Sequence, residues 1–521
     1  MQKILLTFRI INDIIIITIL SERINLMKTS IKLLALMLAL VMSLAAFVAC
    51  DSGKDTETDT KEKDSNVAEI TTEAATDAKP DVPENDYGTE FFLKIMQDTN
   101  SLKYHYVEES ENDVLSEAIF ARQEKVREYL GVEIIGSLTD GNHQTYTESF
   151  KTAVKNKDGS VDMMLTHVYD GVPSLVSENY LADIASIPGI NLDADYWNQE
   201  FMEDLSVCDK YFLGNSDYNI LYTHVITFNK DMMDQYADHL EKSVYDMVRD
   251  YEWTLDQMIS LANLVYIDTT ADGKTPDDTY GISGRQWNEF PGFLHASNIS
   301  IVEMDASGQY KVALMNDVNA AKTTELVDKL LNLSKSNGAW FDFRTTSADT
   351  VPITTDRTLM HVGATTRLVG YLDYDINFGV LPYPMWDTAQ KDVGYRHLQW
   401  GGYISVPAYV NDPQMVGETL EVLSFFSADV KTAYYEKMLG KQVADVPDDS
   451  QMLAIVWDTV CCEFAQTYCQ TMGGTQLLYL MATVTEANTS TNVASTVAGL
   501  ERSANTSITK FMKKVEKATG K

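Results

Sequence analysis

Cysteine is scarce in this chain, with five in 521 residues, and no two of them form a C-x-x-C pair, so a zinc site of the usual spacing has little support. The familiar catalytic signatures are also missing: there is no H-E-x-x-H, no G-x-S-x-G and no G-x-G-x-x-G. Gly273-Lys274-Thr275 ends like a phosphate loop, but the glycine that loop requires upstream is Asp268, which removes that reading. Positive charge is in short supply, because 41 Lys and Arg stand against 76 Asp and Glu for a net charge of -35. An acidic field of that size repels phosphate backbones and disfavours nucleic acid as a partner. No internal repeat is visible at the spacing of solenoids and propellers. Catalytic carboxylate pairs are not removed by any of this, since so many acids always offer candidates.

Long apolar runs are confined to the beginning. Met27, Lys28 and Lys32 give a short positive start, Leu33 to Phe47 an apolar run, and Val48-Ala49-Cys50 a small-residue exit, the pattern of an export signal. Leu44-Ala45-Ala46-Phe47-Val48-Ala49-Cys50 resembles the lipobox of bacterial lipoproteins, in which the cysteine receives lipid and becomes the new N-terminus; Phe47 stands where the family usually has Leu. A retained spanning helix is the alternative, but the run is about 15 residues where roughly 20 are needed. Ile10 to Leu20 is a second apolar patch, and because Met27 opens a complete signal, residues 1–26 are expected to be a start-site artefact.

About 470 residues follow the signal, enough for two or three domains, and hydrophobic residues at 45% can build a sizeable core. Besides Cys50 the cysteines are Cys208, Cys461, Cys462 and Cys469. Cys462 and Cys469 stand in a helix-like stretch about 10 Å apart, too far for a bridge, and a vicinal Cys461–Cys462 bridge is strained. Buried free thiols are the favoured reading, with a bridge from Cys208 left open by an extracellular setting. From Asp51 to about Asp86 the chain is Asp, Glu, Thr, Lys and Ala with almost no large apolar side chain, which predicts a disordered tether over 50–86.

Order is expected from Tyr87. Leu115, Ile119, Val126 and Leu130 form one helical stripe that stops at Gly131, Val132-Glu133-Ile134-Ile135 reads as a strand, and a short helix with Phe150, Ala153 and Val154 leads to a buried strand over Val161 to Leu165. Strand and helix alternate, so the class is α/β with parallel members. Further helices are predicted after the capping pair Thr254 and Gln257, over Leu326 to Gly338, after Asp412-Pro413, and along Val493 to Val515.

Asp268, Thr270, Asp272 and Gly273 occupy the first, third, fifth and sixth places of a calcium-loop pattern, but Thr279 stands where a bidentate Glu belongs. A plain acidic turn is the favoured reading, with calcium as its alternative. His167, Tyr169 and Asp170 follow a predicted strand, where open α/β sheets bind ligands. Trp287 in Gly284-Arg285-Gln286-Trp287-Asn288 and Trp400 in His397-Leu398-Gln399-Trp400-Gly401-Gly402 have polar, glycine-containing surroundings. Aromatic faces stack on sugar rings while Asp, Asn, Arg and His bond hydroxyls; the alternative for each aromatic is a place in a core.

Tyr196-Trp197-Asn198, Thr227-Phe228-Asn229-Lys230-Asp231, Glu252-Trp253-Thr254, Tyr280-Gly281-Ile282, Phe378-Gly379-Val380-Leu381-Pro382-Tyr383-Pro384 and Val406-Pro407 occur in an order and spacing that resemble family 1 extracellular solute-binding proteins, from about Tyr87 to beyond Gly440. The resemblance implies a two-lobed, periplasmic-binding-protein-like α/β fold with hinge crossovers and a ligand cleft between the lobes. It implies lobe 1 over 87–224, lobe 2 over 225–400, a return to lobe 1 over 401–440 and a C-terminal helical part of lobe 2 over 441–521. Crossings are expected at Thr223–Thr227 and Trp400–Ser405. The ligand residues it points to are His167, Tyr169, Asp170, Thr223, His224, Arg285, Trp287, Arg367, Trp400 and Gly401. The region from Asp445 onward is less family-like, and Thr365-Thr366-Arg367 lacks a tryptophan that many sugar binders carry, which weakens a maltose-like assignment.

The role so implied is capture rather than catalysis: a monomeric receptor on the extracellular face, anchored by lipid on Cys50, handing a small solute, with a sugar or oligosaccharide as the leading guess, to ABC permease subunits. No cofactor is expected apart from the calcium alternative. The competing readings are a secreted carbohydrate-active enzyme, which needs two carboxyls facing across a cleft, and a non-transport surface lipoprotein.

Overall fold

The computed structural model describes residues 79–96, 102–110, 113–139, 142–220, 222–342, 350–434, 447–472 and 492–520. The export signal, Cys50 and the tether as far as residue 78 lie outside the described residues, as do the side chains of Trp287 and Cys469. Packing begins before Tyr87, which corrects the predicted end of the tether. Val82 is buried, its carbonyl accepts from the Tyr129 hydroxyl at 2.8 Å, and Asn85 N–H bonds Tyr129 O at 3.0 Å. Residues 79–86 are polar overall, but the buried Val82 and the two bonds to Tyr129 hold them.

In chain order the principal elements are β1 Thr89–Met96, α1 Val114–Leu130, β2 Val132–Thr139, α2 His143–Asn156, β3 Met163–His167, α3 Val172–Ser177, β4 His224–Asn229, α4 Leu255–Asn263, β5 Tyr266–Ile267, β6 Thr279–Arg285, α5 Gln286–Ala296, β7 Val302–Met304, β8 Tyr310–Val312, α6 Ala320–Lys335, β9 Ala339–Asp342, β10 Thr358–Ala364, β11 Phe378–Leu381, β12 His397–Leu398, β13 Gly401–Ser405, α7 Pro413–Phe425, α8 Pro447–Asp458, β14 Val460–Cys461 and α9 Val493–Thr519.

Two sheets organise them. The first has the order β13-β3-β1-β2, with β1 parallel to both β2 and β3 and β13 antiparallel to β3. Phe91, Leu93 and Ile95 alternate into one face of β1 and meet Val126 and Leu130 of α1 and Val416, Leu420 and Leu423 of α7. Helix α1 starts where Asp113 accepts from the N–H groups of Leu115 and Ser116, and ends at Gly131, whose φ of 64° a side chain would disfavour. Asp412 and Pro413 open α7 in the same way.

The second sheet runs β11-β4-β10-β6-β5, with β9 also paired to β6. Strands β9 and β10 are parallel neighbours of β6, β4 runs antiparallel to β10, and β11 runs antiparallel to β4 and so in the direction of β10. Every residue of β4 and β10 is buried, and both are interior strands of this mixed sheet. Thr254 caps α4 by accepting from Gln257 N–H.

The chain passes between the sheets at Tyr222–His224 and returns at Leu398–Gly401. These two stretches lie side by side: Trp400 N–H bonds Tyr222 O at 2.9 Å and the Thr223 hydroxyl bonds Leu398 O at 2.8 Å. A third stretch joins them, since β14 pairs in parallel with β12. The C-terminal part expected to belong to the second lobe touches both. Tyr468 donates to Leu205 O at 2.9 Å, and α9 packs on α3 of the first lobe and on α6 and β8 of the second.

One buried cation shows how the first lobe is tied. Arg122 of α1 is 1% exposed, donates to Ser427 Oγ at 3.0 Å and His105 O at 2.7 Å, and lies 4.5 Å from the Tyr218 ring centre. Among the described residues no carboxylate pairs with it, and burial pushes its pKa down to about 10. Arg122→Ala should therefore lower stability by about 3 kcal/mol, from lost bonds and an unfilled volume. Arg122→Met, which refills the volume without a charge to desolvate, should cost clearly less. Urea unfolding of both variants checks the order; an equal or larger loss for Met would contradict it.

Candidate functional site

Parallel strands end together at one edge of each sheet, and both edges adjoin the crossings. On the first sheet β3 ends at His167, and a turn closed by Asp170 N–H to His167 O at 2.9 Å brings Tyr169 and Asp170 beside it. Asp170 is 1% exposed. Its carboxylate accepts from His167 N–H at 2.7 Å and holds His143 Nδ1 at 2.7 Å. His143 opens α2, so the carboxylate joins a strand end to a helix start. The rings of His143, His167 and Tyr169 lie with centres 5.0 to 5.5 Å apart, and Tyr222 of the first crossing is 5.8 Å from His167.

The return crossing extends this line of rings. Trp400 is hydrogen-bonded to Tyr222 through its backbone and meets the His224 ring edge-on at 5.6 Å. Gly401 is paired with His167, and a Cβ added there would stand 2.6 Å from His167 Cδ2, so only glycine lets the ring lie over the strand.

On the second sheet Arg285 ends β6, His224 begins β4 opposite Ala364, and Arg367 follows the end of β10. Glu289, one turn into α5, has no exposed surface; Arg285 Nε stands 3.5 Å from its Oε1. Burial raises the Glu289 pKa to about 7 against the pull of Arg285 and Arg367. His224 is held neutral, its pKa lowered to about 3 by burial and then by the same two guanidiniums. His167 is lowered to about 3 by burial and by His143. Buried polar atoms here lack hydrogen-bond partners: His224 Nδ1, Gln286 Oε1 and both Glu289 carboxylate oxygens. Among the described residues these are groups that a bound solute can satisfy.

The expected residues thus fall into three groups. His167, Tyr169, Asp170, His224, Arg285, Arg367, Trp400 and Gly401 are brought to the crossings. Thr223 is there too, but its hydroxyl is committed to Leu398 O and its backbone to Thr365, so it holds the crossings together rather than facing a solute. Trp287 stands on the first turn of α5, and its side chain lies outside the described residues.

Residues at the calcium pattern build a turn. Asp268 accepts from Gly273 N–H at 3.2 Å, the Thr270 hydroxyl bonds Asp272, and Asp278 takes the N–H groups of Thr269 and Thr275 at 2.9 Å each. Among the described residues no three His, Cys, Asp or Glu side chains cluster in a way that would hold a metal ion. Cys461 and Cys462 are free thiols.

Sequence reasoning did not find His143, Tyr222 or Glu289. Glu289 carried a signal, since it stands four residues after Arg285, the spacing of a helical ion pair. His143 and Tyr222 carried none, because their proximity to His167 depends on strand order.

No protein-family model matches the chain, and neither does any curated protein sequence. Solved structures do match. An ABC substrate-binding protein of Listeria monocytogenes in complex with cycloalternan is 13% identical with a TM-score of 0.52, over 83% of this chain and 99% of that one. The galacto-N-biose-/lacto-N-biose I-binding protein of the ABC transporter of Bifidobacterium longum, with lacto-N-biose, is 13% identical at 0.53, over 82% and 98%. The cyclic α-maltosyl-1,6-maltose binding protein of Arthrobacter globiformis is 12% identical at 0.54, over 81% and 99%.

Two predictions follow from the charges and the glycine. The fold favours protonated Glu289, so the stability tied to that proton is present below about pH 4.5 and is lost as pH rises through about 7. Glu289→Gln should flatten part of that decline and raise the unfolding free energy at pH 8 by on the order of 3 kcal/mol. Glu463, buried with three backbone N–H donors and a pKa raised to about 7, retains the rest. Unchanged pH dependence in Glu289→Gln would refute this placement of the proton. Gly401→Ala should displace the His167 ring, read as a changed His167 imidazole NMR signal in a chain that still melts cooperatively.

Taken with the two sheets and their adjoining crossings, these similarities show that the chain has the two-lobed α/β fold of the substrate-binding proteins of ABC transporters.

Proposed function

We propose that the chain is a family 1 extracellular solute-binding protein that captures a carbohydrate between its lobes and delivers it to an ABC importer, anchored to the membrane by lipid on Cys50. The observation that carries the reading is the line of side chains across the crossings. Neutral His167 and His224, with Tyr169, Tyr222 and Trp400, supply faces and edges for sugar rings, while Arg285, Arg367, Gln286 and Glu289 supply donors and acceptors for hydroxyls. The ligands of the matching structures, cycloalternan and lacto-N-biose among them, agree with an oligosaccharide.

Capture is favoured over hydrolysis by the state of the carboxylates. A glycosidase needs an acid and a second carboxylate free to act on one bond. Asp170 is fully engaged by His143 and by the His167 backbone, so it does not serve as the second free carboxylate that Glu289 would need. A solute touching both lobes stabilises the closed arrangement by its differential affinity for it, which gives the importer a state to read.

Calorimetric titration of the chain with linear and cyclic gluco-oligosaccharides, lacto-N-biose and amino-acid controls tests the reading. One sugar class should bind saturably and be recovered unchanged. Arg285→Ala and Trp400→Ala should each weaken binding at least about tenfold, or about 1.4 kcal/mol. Sugar turnover, or binding that both variants leave intact, would sink the assignment. Cys50→Ser should move the protein from the membrane fraction to the medium.

A further inference from the structure

A second cavity adjoins the crossings. It has a volume of about 440 Å³ and includes Asn215, Asn219, Gln399, Lys431, Trp457 and Asp458 in its lining. None of these belongs to the line of rings described above. Gln399 and Trp400 are consecutive, yet Trp400 lies against His224 while Gln399 lines this cavity, so the return crossing separates the two spaces.

The lining has the chemistry of a small-molecule site. Its volume lies within the range of about 300–1,000 Å³ usual for such pockets. Gln399 is 1% exposed, and its amide nitrogen donates to Gly401 O at 2.6 Å. The half-buried Asn215 adds a second carboxamide to the lining. Trp457 supplies an aromatic wall, with Lys431 Nζ 5.1 Å from its ring centre and bonded to Asp217 at 2.8 Å. That pair neutralises the one cation, and Asp195 and Asp458 leave the rim acidic, which excludes anions. Carboxamides and one aromatic wall suit hydroxyl groups.

We infer that this cavity is a second solute site, behind the crossings, that takes a neutral polyol of monosaccharide size. Because Gln399 is joined directly to Trp400, filling the cavity constrains the return crossing, and its effect reaches the first site; this coupling rests on the capture reading, whereas binding in the cavity does not. Any such coupling is reciprocal between the two sites.

Indole N–H resonances of the full chain separate the spaces, Trp457 reporting the cavity and Trp400 the first site. D-glucose and myo-inositol at millimolar concentration should each shift Trp457 saturably. Asn215→Trp, which fills the cavity, should abolish that shift, and the near-isosteric Asn215→Leu should weaken it at least fivefold with an unchanged melting midpoint. With the first site disabled by Arg285→Ala, the Trp400 resonance should move with the same midpoint as Trp457. A Trp457 shift that is absent, unsaturable or indifferent to both Asn215 variants overturns the site, and a shift with putrescine but not with either polyol overturns the ligand class. A Trp400 resonance that stays still in Arg285→Ala overturns the coupling. Sugar binding by calorimetry that Arg285→Ala and Trp400→Ala leave intact, with Trp457 still responding, would instead count against the capture reading and leave the cavity site standing.

Discussion

Two hydrogen bonds, one between backbone groups and one from a threonine hydroxyl, set the conditions for the rest of the molecule. Where Tyr222–His224 and Leu398–Gly401 run side by side, buried peptide groups need partners as they would in a sheet. Trp400 N–H to Tyr222 O and the Thr223 hydroxyl to Leu398 O provide them, and Thr365 N–H to Thr223 O adds the end of β10. Once these stretches are paired, the carboxyl ends of β3, β6 and β10 all lie beside them. Side chains that follow those strands then have only this region to occupy, which is why a site forms at the junction.

The same pairing explains the electrostatics. The chain is acidic overall, yet at the second sheet's edge Arg285 and Arg367 accompany a single buried carboxylate, Glu289. Burial disfavours every charged form there, so the imidazoles of His224 and His361 are neutral and the proton on Glu289 is retained to an unusually high pH. Neutral polar groups with unsatisfied atoms favour an occupant that brings hydroxyls rather than a net charge.

Much of the fold was legible because its burial is one-sided. Helix α1 could be read from Leu115, Ile119, Val126 and Leu130 with Asp113 and Gly131 at its ends, and α7 from Asp412-Pro413. The class followed from alternation, and the crossings lie within a few residues of the positions that resemblance implied. Less of the site was legible. His167, Arg285 and Trp400 could be named from their positions after strands, whereas His143 and Tyr222 reach His167 only because β3 lies beside β13 and the crossing passes underneath. At the calcium pattern, short acidic side chains in a glycine turn bond their own backbone, as Asp268 does with Gly273 N–H.

The C-terminal segment carries a consequence for motion. Two crossings alone would leave the lobes free to bend about them, but β14 adds a third strand to the bundle of crossings and α9 lies against α3 on one lobe and α6 on the other. Tyr468 bonded to Leu205 O, and Asn505 bonded to Val312 N–H, fix that segment to both sides. A rotation that opens the lobes must therefore either slide α9 across one of its two contacts or keep its axis close to the helix. Packed interfaces favour discrete arrangements over continuous bending, so this third connection limits the range of opening and makes a small number of defined lobe positions the expected behaviour of the chain.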